Sequence, residues 1–511
     1  MSDNQSNNKR IAKNTLLLYG RMLFMMVINL YTSRVILQAL GVEDYGIYNV
    51  VGGVVAMFSI LSSSLSAAIQ RYITFELGKN KDRNLNKVFT TSINIQFILI
   101  AIIVLLLETI GLWFLNNKMV IPVERITAAN WVFQFSIVTF AVNLWSVPYN
   151  ASIIAHEKMS AFAYISILDA IAKLAICYVV MFNPIDRLVF YSLLMLLVGL
   201  CVRLVYSVYC KKHFEECRYK FSLDKDLLKE MFAFSGWNFF GAASSVLNTQ
   251  GVNIILNLFF GPVVNAARGI AVSVSHAVVA FVNSFMTALN PQITKNYSSG
   301  NHEYALTLVF QGVRFSYYIL WVLCLPIILT TPFLLSLWLG VVPDNSVLFT
   351  RLIMIFSLTE VLGYPLVTLM LASGNIRNYQ IVVGGLQLLN LPISYVLLHL
   401  GFQAWTVFVV AIIISFLSEI ARIIMLKRIM LFPGRKFAYS VLVNVMTVSL
   451  LSAVIPTIAY SIIGLNGLWD FILLVSVSIL SALITIYLWG CNKNEKDLVK
   501  RMFVKVLKRL K

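Results

Sequence analysis

The residues with chemistry to offer in this sequence are the cations that stand inside its long apolar runs. There are eight: Arg21, Arg34, Lys173, Arg203, Arg268, Arg314, Arg351 and Arg422. A charge at mid-bilayer costs about 2.5–3.5 kcal/mol on insertion scales, so a chain that keeps one there faces it into a wet cavity or a partner. Arg203, Arg314, Arg351 and Arg422 lie within two or three helical turns of the end of a run, and are expected to snorkel to the headgroups. Lys173 follows Asp169 by one helical turn. The two are expected to pair, or else to serve as a coupling site that relays protons. Arg21, Arg34 and Arg268 offer something different. No carboxylate lies within a turn of Arg21 or Arg268, and guanidinium is a planar, two-pronged donor suited to phosphate. These three are candidate anion-binding residues.

Amides and a further carboxyl extend the set. Thr249, Asn253 and Asn257 recur at one-turn spacing, with Gln250 beside them. Asn253 and Asn257 are candidates to hydrogen-bond sugar hydroxyls, and bonding between helices is the equal alternative. Glu360 stands in mid-run with no basic residue a turn away, as a candidate protonatable coupling carboxyl or the partner of a cation on another helix. The serines Ser62, Ser63, Ser64 and Ser66, with Gly52 and Gly53, read as close helix packing. Signatures of catalysis and of cofactors are missing. His156-Glu157 has no second histidine four residues on, Gly78-Lys79 lacks a phosphate-loop frame, no G-x-S-x-G occurs, and no cysteine or histidine spacing suits a metal. No enzyme, cofactor or metal site is expected.

The elements that must position these side chains are membrane helices. The chain of 511 residues is 59% hydrophobic and 12% charged, with a mean hydropathy of +0.82. Apolar segments recur at about 12–39, 45–69, 89–115, 126–153, 159–182, 186–210, 231–259, 263–290, 306–338, 347–373, 378–399, 402–426, 437–463 and 467–490, about fourteen in all. The first is too long for a signal-peptide core and lacks a cleavage site, so it is expected to stay as an anchor. With the N-terminus inside, twenty-nine of the forty basic residues fall in cytoplasmic segments and three in outer loops. The net charge of +18 is therefore mostly topology, and no nucleic acid is expected as a partner. Both termini are expected in the cytoplasm. The tail from Asp497 to Lys511 sets Val499, Met502, Phe503, Val506 and Leu510 against Lys500, Arg501, Lys505, Lys508 and Arg509, the pattern of a basic amphipathic helix on an anionic leaflet.

A weak repeat at an offset of about 220 residues pairs Gly41 with Gly261 and Ile73-Thr74 with Ile293-Thr294. Two halves of like orientation follow, with a site expected at their interface. The expected organisation is a cytoplasmic N-terminus (1–11), an N-terminal six-helix bundle (12–210), a cytoplasmic linker (211–230), a C-terminal six-helix bundle (231–430), two additional helices (431–491) and the basic tail (492–511). The fold class is an all-α integral membrane protein. Outer connections are short, which disfavours a ligase or polymerase acting outside.

The run Leu30-Tyr-Thr-Ser-Arg-Val-Ile-Leu37, then Leu40-Gly-Val-Glu-Asp-Tyr-Gly-Ile-Tyr48 and Arg71-Tyr-Ile-Thr74, resembles the bacterial polysaccharide-transporter family of O-antigen and capsule flippases. That family shares a superfamily with multidrug extruders and the peptidoglycan-precursor flippase. The resemblance implies two six-helix bundles about a central V-shaped cavity, two further C-terminal helices, and alternating access that moves an undecaprenyl-pyrophosphate-linked oligosaccharide from the inner to the outer leaflet of the bacterial inner membrane. It implies cavity roles for cations of the first and eighth segments, which by position are Arg21, Arg34 and Arg268; a polysaccharide polymerase or glycosyltransferases are candidate partners that the sequence leaves undetermined. Two alternatives stand beside it. A cation-coupled multidrug extruder would want an unpaired acid in the N-terminal half, where Asp169 is the main candidate. A membrane glycosyltransferase or ligase would want a catalytic acid in an outer loop.

Overall fold

The computed structural model describes residues 2–59, 69, 72–73, 76, 84–156, 158–182, 186–220, 224–298, 300–373, 376–430, 432–465, 467–492 and 495–497. The serines 62–66, Arg71, Thr74 and the tail beyond Asp497 lie outside the described residues. Regular structure among the described residues is helical, with no strand. In chain order the long helices are α1 (Ser2–Ala56), α2 (Leu85–Asn117), α3 (Ile126–Ala155), α4 (Met159–Met181), α5 (Arg187–His213), α6 (Lys225–Phe260) and α7 (Pro262–Ser298). They continue as α8 (His302–Leu339), α9 (Ser346–Ala372), α10 (Gln380–His399), α11 (Thr406–Met430), α12 (Gly434–Ile463) and α13 (Leu468–Gly490). Twelve of these are long and apolar enough to cross a membrane, and α6 contributes the shorter apolar stretch Val246–Phe260. The first two expected segments share α1, which Gly41 breaks into two arms with φ 81° and ψ 172°.

Helix ends follow local rules. Asp186 caps α5 by accepting from the Leu188 and Val189 N–H groups, and Asp224 caps α6 through the Asp226 and Leu227 N–H groups. The α6–α7 corner is made by Gly261 at φ 76°, followed by Pro262, the order in which glycine ends a helix and proline begins one. Four π-helical turns, at Leu107–Gly111, Gln380–Gly384, Ala438–Val443 and Ile486–Gly490, free carbonyls along their helices. The last of them presents the Trp489 carbonyl to Asn444 Nδ2 at 3.0 Å and the Gly490 carbonyl to Arg314 Nη1 at 3.1 Å.

The chain packs as two compact units. The first comprises Met1–Ser273 with Pro343–Ser346 and Gln387–Val407, and the second Val274–Val342, Val347–Leu386 and Phe408–Lys511. The first unit's core brings Ile47, Val50 and Val54 of α1 against Ile95 and Leu99 of α2 and Val132, Phe133 and Leu144 of α3. The second unit's core joins Val309 and Val313 of α8, Leu366 and Met370 of α9, Leu426 of α11, and Phe437 and Val441 of α12. In lipid these contacts hold by close packing rather than by expelling water.

The turn between the arms of α1 is a packing device. Arg125 donates from Nε to Asp44 Oδ1 at 2.8 Å and from Nη2 to Asp44 Oδ2 at 2.5 Å, and from Nη1 to Asp186 Oδ2 at 2.6 Å. Tyr45 is buried, and its carbonyl accepts from Asn49 Nδ2. Gly46 lies against the Pro262 carbonyl so closely that any side chain there would overlap it. The L-G-V-E-D-Y-G signature thus encodes a corner and its clasp.

Three of the four arginines expected to snorkel are instead buried inside their units. Arg203 is 4% exposed, with its guanidinium 4.2 Å from the Trp145 ring and 4.0 Å from that of Tyr149. Arg314 pairs with Glu495 at 2.5 Å, and Arg422 pairs with Glu419. Each has a partner within reach, so leaving it for the headgroups would cost a contact already made. Arg351, half-buried, turns Nε onto the Ile328 carbonyl at 3.0 Å.

Candidate functional site

A cavity of about 910 Å³ lies inside the first unit. Its walls come from five helices, Val246 of α6 among them, and the faces of α3, α4 and α5 read as a spacing of three and four. From α3 come Thr139, Asn143, Ser146 and Asn150; from α4, Ser166, Asp169 and Lys173; from α5, Met195, Gly199, Val202 and Tyr206; from α1, Arg21, Met25 and Tyr48. The α3 stripe runs for about 16 Å at 1.5 Å per residue. It offers two amides and two hydroxyls on one face of the helix. A smaller cavity of about 170 Å³ shares Tyr48, Thr139, Asn143 and Met195 with it.

The charges divide unequally. Lys173 Nζ donates to Asp169 Oδ2 at 2.7 Å, so the cavity's acid and one of its cations neutralise each other. Arg21 donates from Nη1 to Ser166 Oγ at 3.1 Å and lies 4.8 Å over the Phe162 ring, while its Nε is buried with no partner. It has no carboxylate partner among the described residues. Arg203 stands beside the cavity-lining Val202 in α5, caged by aromatic rings, with Nε and Nη1 unpartnered. Unopposed positive charge in a low dielectric attracts anions and repels cations. Asn150 Oδ1 is also buried without a donor. Of these open positions, Arg21 Nε and Asn150 Oδ1 belong to residues that line the cavity.

Of the residues singled out from sequence, the structure gathers Arg21, Asp169 and Lys173 into this cavity and sets the others elsewhere. Arg34 is half-buried on α1 near the Tyr31–Tyr178 hydroxyl pair, whose oxygens lie 2.5 Å apart, and does not line the cavity. Arg268 of α7 is 8% exposed, donates from Nη2 to the Thr249 carbonyl at 2.6 Å, and has an unpartnered Nε. Asn253 and Asn257 are buried, and their amides are engaged between helices. Asn253 Nδ2 donates to the Asn49 carbonyl at 3.1 Å, and Asn257 Nδ2 to the Val120 carbonyl at 3.2 Å while its Oδ1 accepts from Val120 N–H. Helix-to-helix bonding, the alternative the sequence left open, is the geometry found. Glu360 belongs to the second unit, where it accepts from Ser415 Oγ at 2.7 Å.

The α3 stripe escaped the sequence reading, although its signal was present. Thr139, Asn143, Ser146 and Asn150 keep a strict 4-3-4 spacing in an apolar run, a pattern that marks a wet face as surely as a charge does. Arg203 was not recognisable as a cavity neighbour, because Trp145 and Tyr149 lie more than fifty residues away in sequence.

The sequence matches a family model described as polysaccharide biosynthesis protein over residues 9–297. No curated protein matches it. Among solved structures the chain is similar to the lipid II flippase MurJ in an inward closed conformation, with a TM-score of 0.70 and 13% identity, over 92% of this chain and 98% of that one. It is also similar to a multidrug resistance MATE family transporter of the MOP superfamily. The outward-facing form gives a TM-score of 0.57 at 14% identity over 80% of this chain and 93% of that one. The inward-facing form gives 0.55 at 13% over 79% and 92%. At such identities the likeness is one of fold.

Proposed function

Since this chain belongs to the polysaccharide biosynthesis protein family, within the multidrug/oligosaccharidyl-lipid/polysaccharide exporter superfamily, we propose that it is a flippase. Its substrate would be an undecaprenyl-pyrophosphate-linked oligosaccharide, an O-antigen or capsule repeat unit, carried from the cytoplasmic to the outer leaflet by alternating access. One observation carries this reading: the cavity of the first unit holds Arg21 with no acid partner among the described residues, while its acid, Asp169, is tied to Lys173. In this reading Arg21 takes the phosphates, and the amides and hydroxyls of α3 take the sugar. A cation-coupled extruder would want the opposite balance, an acid left open to the ligand. The surplus of basic residues on alternate loops supports an inner-membrane orientation with both termini in the cytoplasm.

The test is the leaflet distribution of the lipid-linked oligosaccharide in cells lacking the gene, complemented by wild type or Arg21→Ala at verified surface expression. The expected result is an intermediate held on the cytoplasmic side that wild type clears and Arg21→Ala does not. An unchanged distribution accompanied by a fall in drug or dye efflux would replace the flippase with the extruder.

A further inference from the structure

We propose that Glu360, Glu419 and Arg422 of the second unit form a proton-binding site, with Glu419 Oε2 as the atom that takes the proton. Arg422 Nη1 donates to Glu419 Oε1, and Arg422 Nε reaches the Tyr379 hydroxyl at 3.4 Å. Glu419 is 6% exposed, and its other oxygen, Oε2, has no donor. Glu360 keeps the Ser415 hydrogen bond and lies close enough to act electrostatically on both Glu419 and Arg422.

The charged and titratable groups that meet here can be named element by element. Helix α9 supplies Glu360 and Tyr364, the turn Ile376–Tyr379 supplies Tyr379, and α11 supplies Glu419 and Arg422. The phenols add no charge at neutral pH. Two carboxylates therefore face one guanidinium, and with both ionised the cluster carries a net negative charge inside a membrane-spanning unit. A buried charge without a counter-charge is heavily penalised. One proton removes it, and the oxygen left without a donor is where that proton makes a new bond rather than displacing an old one. A divalent ion is a poorer occupant, since no three acid, histidine or cysteine side chains converge among the described residues. Helix α9 is cut to admit the pair: a side chain at Gly363 would overlap both Glu419 Oε1 and Arg422 Nη1. Proton binding stands on this geometry alone. Its use to drive transport rests on the flippase reading.

The probe is dicyclohexylcarbodiimide, which attacks carboxyls in their protonated form in apolar surroundings, applied to the purified full-length protein across a pH series with labelled peptides mapped by mass spectrometry. Wild type is expected to label at Glu419 and to lose that label as the pH is raised. Glu419→Gln should lose that label. Glu360→Gln removes a neighbouring negative charge, so it should shift the Glu419 labelling profile to lower pH. This variant keeps the Arg422–Glu419 pair and so tests the site even where Glu419→Gln fails to fold. No label on Glu419 at any pH, or a profile that Glu360→Gln leaves in place, would overturn the site. Loss of the label in a folded Glu419→Gln protein that still flips lipid-linked oligosaccharide would overturn its coupling to transport, and the Arg21→Ala comparison reports on the flippase reading separately.

Discussion

Arg314 shows what a single buried cation requires of its surroundings. Its guanidinium donates to the Gly490 carbonyl and to Glu495, and Glu495 is held in place by a reciprocal pair of bonds. Its Oε2 accepts from Asn492 N–H at 2.8 Å while its own N–H donates to Asn492 Oδ1 at 2.9 Å. That is a capping box at the start of the segment after α13. Removing one partner of a buried pair leaves an uncompensated charge, a loss of about 3–5 kcal/mol. Glu495→Ala is expected to lower the thermal unfolding midpoint of the detergent-purified protein markedly. Adding Arg314→Met should recover much of the loss, because an apolar side chain of similar volume asks for no counter-charge. If the single variant melts like wild type, the pair is not what holds this end of α13. The sequence could expose only half of such arrangements. Asp169 and Lys173 pair within one turn and were legible at once, whereas Arg314 and Glu495 are separated by 181 residues and nothing local links them.

At the scale of elements, apolar run length and punctuation located twelve of the expected spans among the described residues, while the segments at 12–39 and 45–69 share α1 and that at 231–259 keeps only the shorter apolar stretch Val246–Phe260. Gly261-Pro262 marked a corner that the structure places where expected, and Gly41 marked another. What run length could not give was which face of each helix turns inward. The α3 stripe and the aromatic cage of Arg203 are properties of neighbouring helices, and become visible only once α3, α4 and α5 are side by side. The ends of these helices are tied together on the side opposite the Arg125 clasp. His156, after α3, pairs with Glu216, after α5, at 2.5 Å and stacks on Phe214 at a centroid distance of 4.1 Å, while Asn86 Nδ2 of α2 donates to the Glu216 and Arg218 carbonyls. Burial works to raise the Glu216 carboxyl, but His156 and the backbone N–H of Glu216 itself hold it below the usual carboxylate range. A carboxyl so depressed adds stability that is complete above its unfolded value, near 4.3, and is lost as pH falls through the folded one. The gap in melting temperature between wild type and Glu216→Gln should therefore be open at neutral pH and close in acid. A gap of constant width down to pH ~3, below the ordinary glutamate value, would assign the tie to packing of the His156 and Phe214 rings instead.

For the whole molecule, composition and charge asymmetry identified a multi-pass membrane protein, and a short signature identified its family. The division of polar chemistry between two units was not legible. One unit encloses the cavity around Arg21; the other encloses the Glu360–Glu419–Arg422 cluster, and neither needs a residue from the other to be complete. The corner between the arms of α1 sets how the first unit is registered. Everything that the second arm contributes, from Tyr45 and Gly46 at the corner to Tyr48 at the cavity and Asn49 beneath Asn253, depends on its rotation about its own axis. One residue inserted between Gly41 and Gly46 would turn that arm by about 100°, carrying Gly46 off the Pro262 carbonyl and Tyr48 away from the cavity while leaving every apolar run intact. Surface loops ordinarily absorb insertions; this corner, helical on both sides of Gly41, is a ruler. A chain with one added residue here should fail to accumulate, which the yield of membrane-inserted protein against wild type would show.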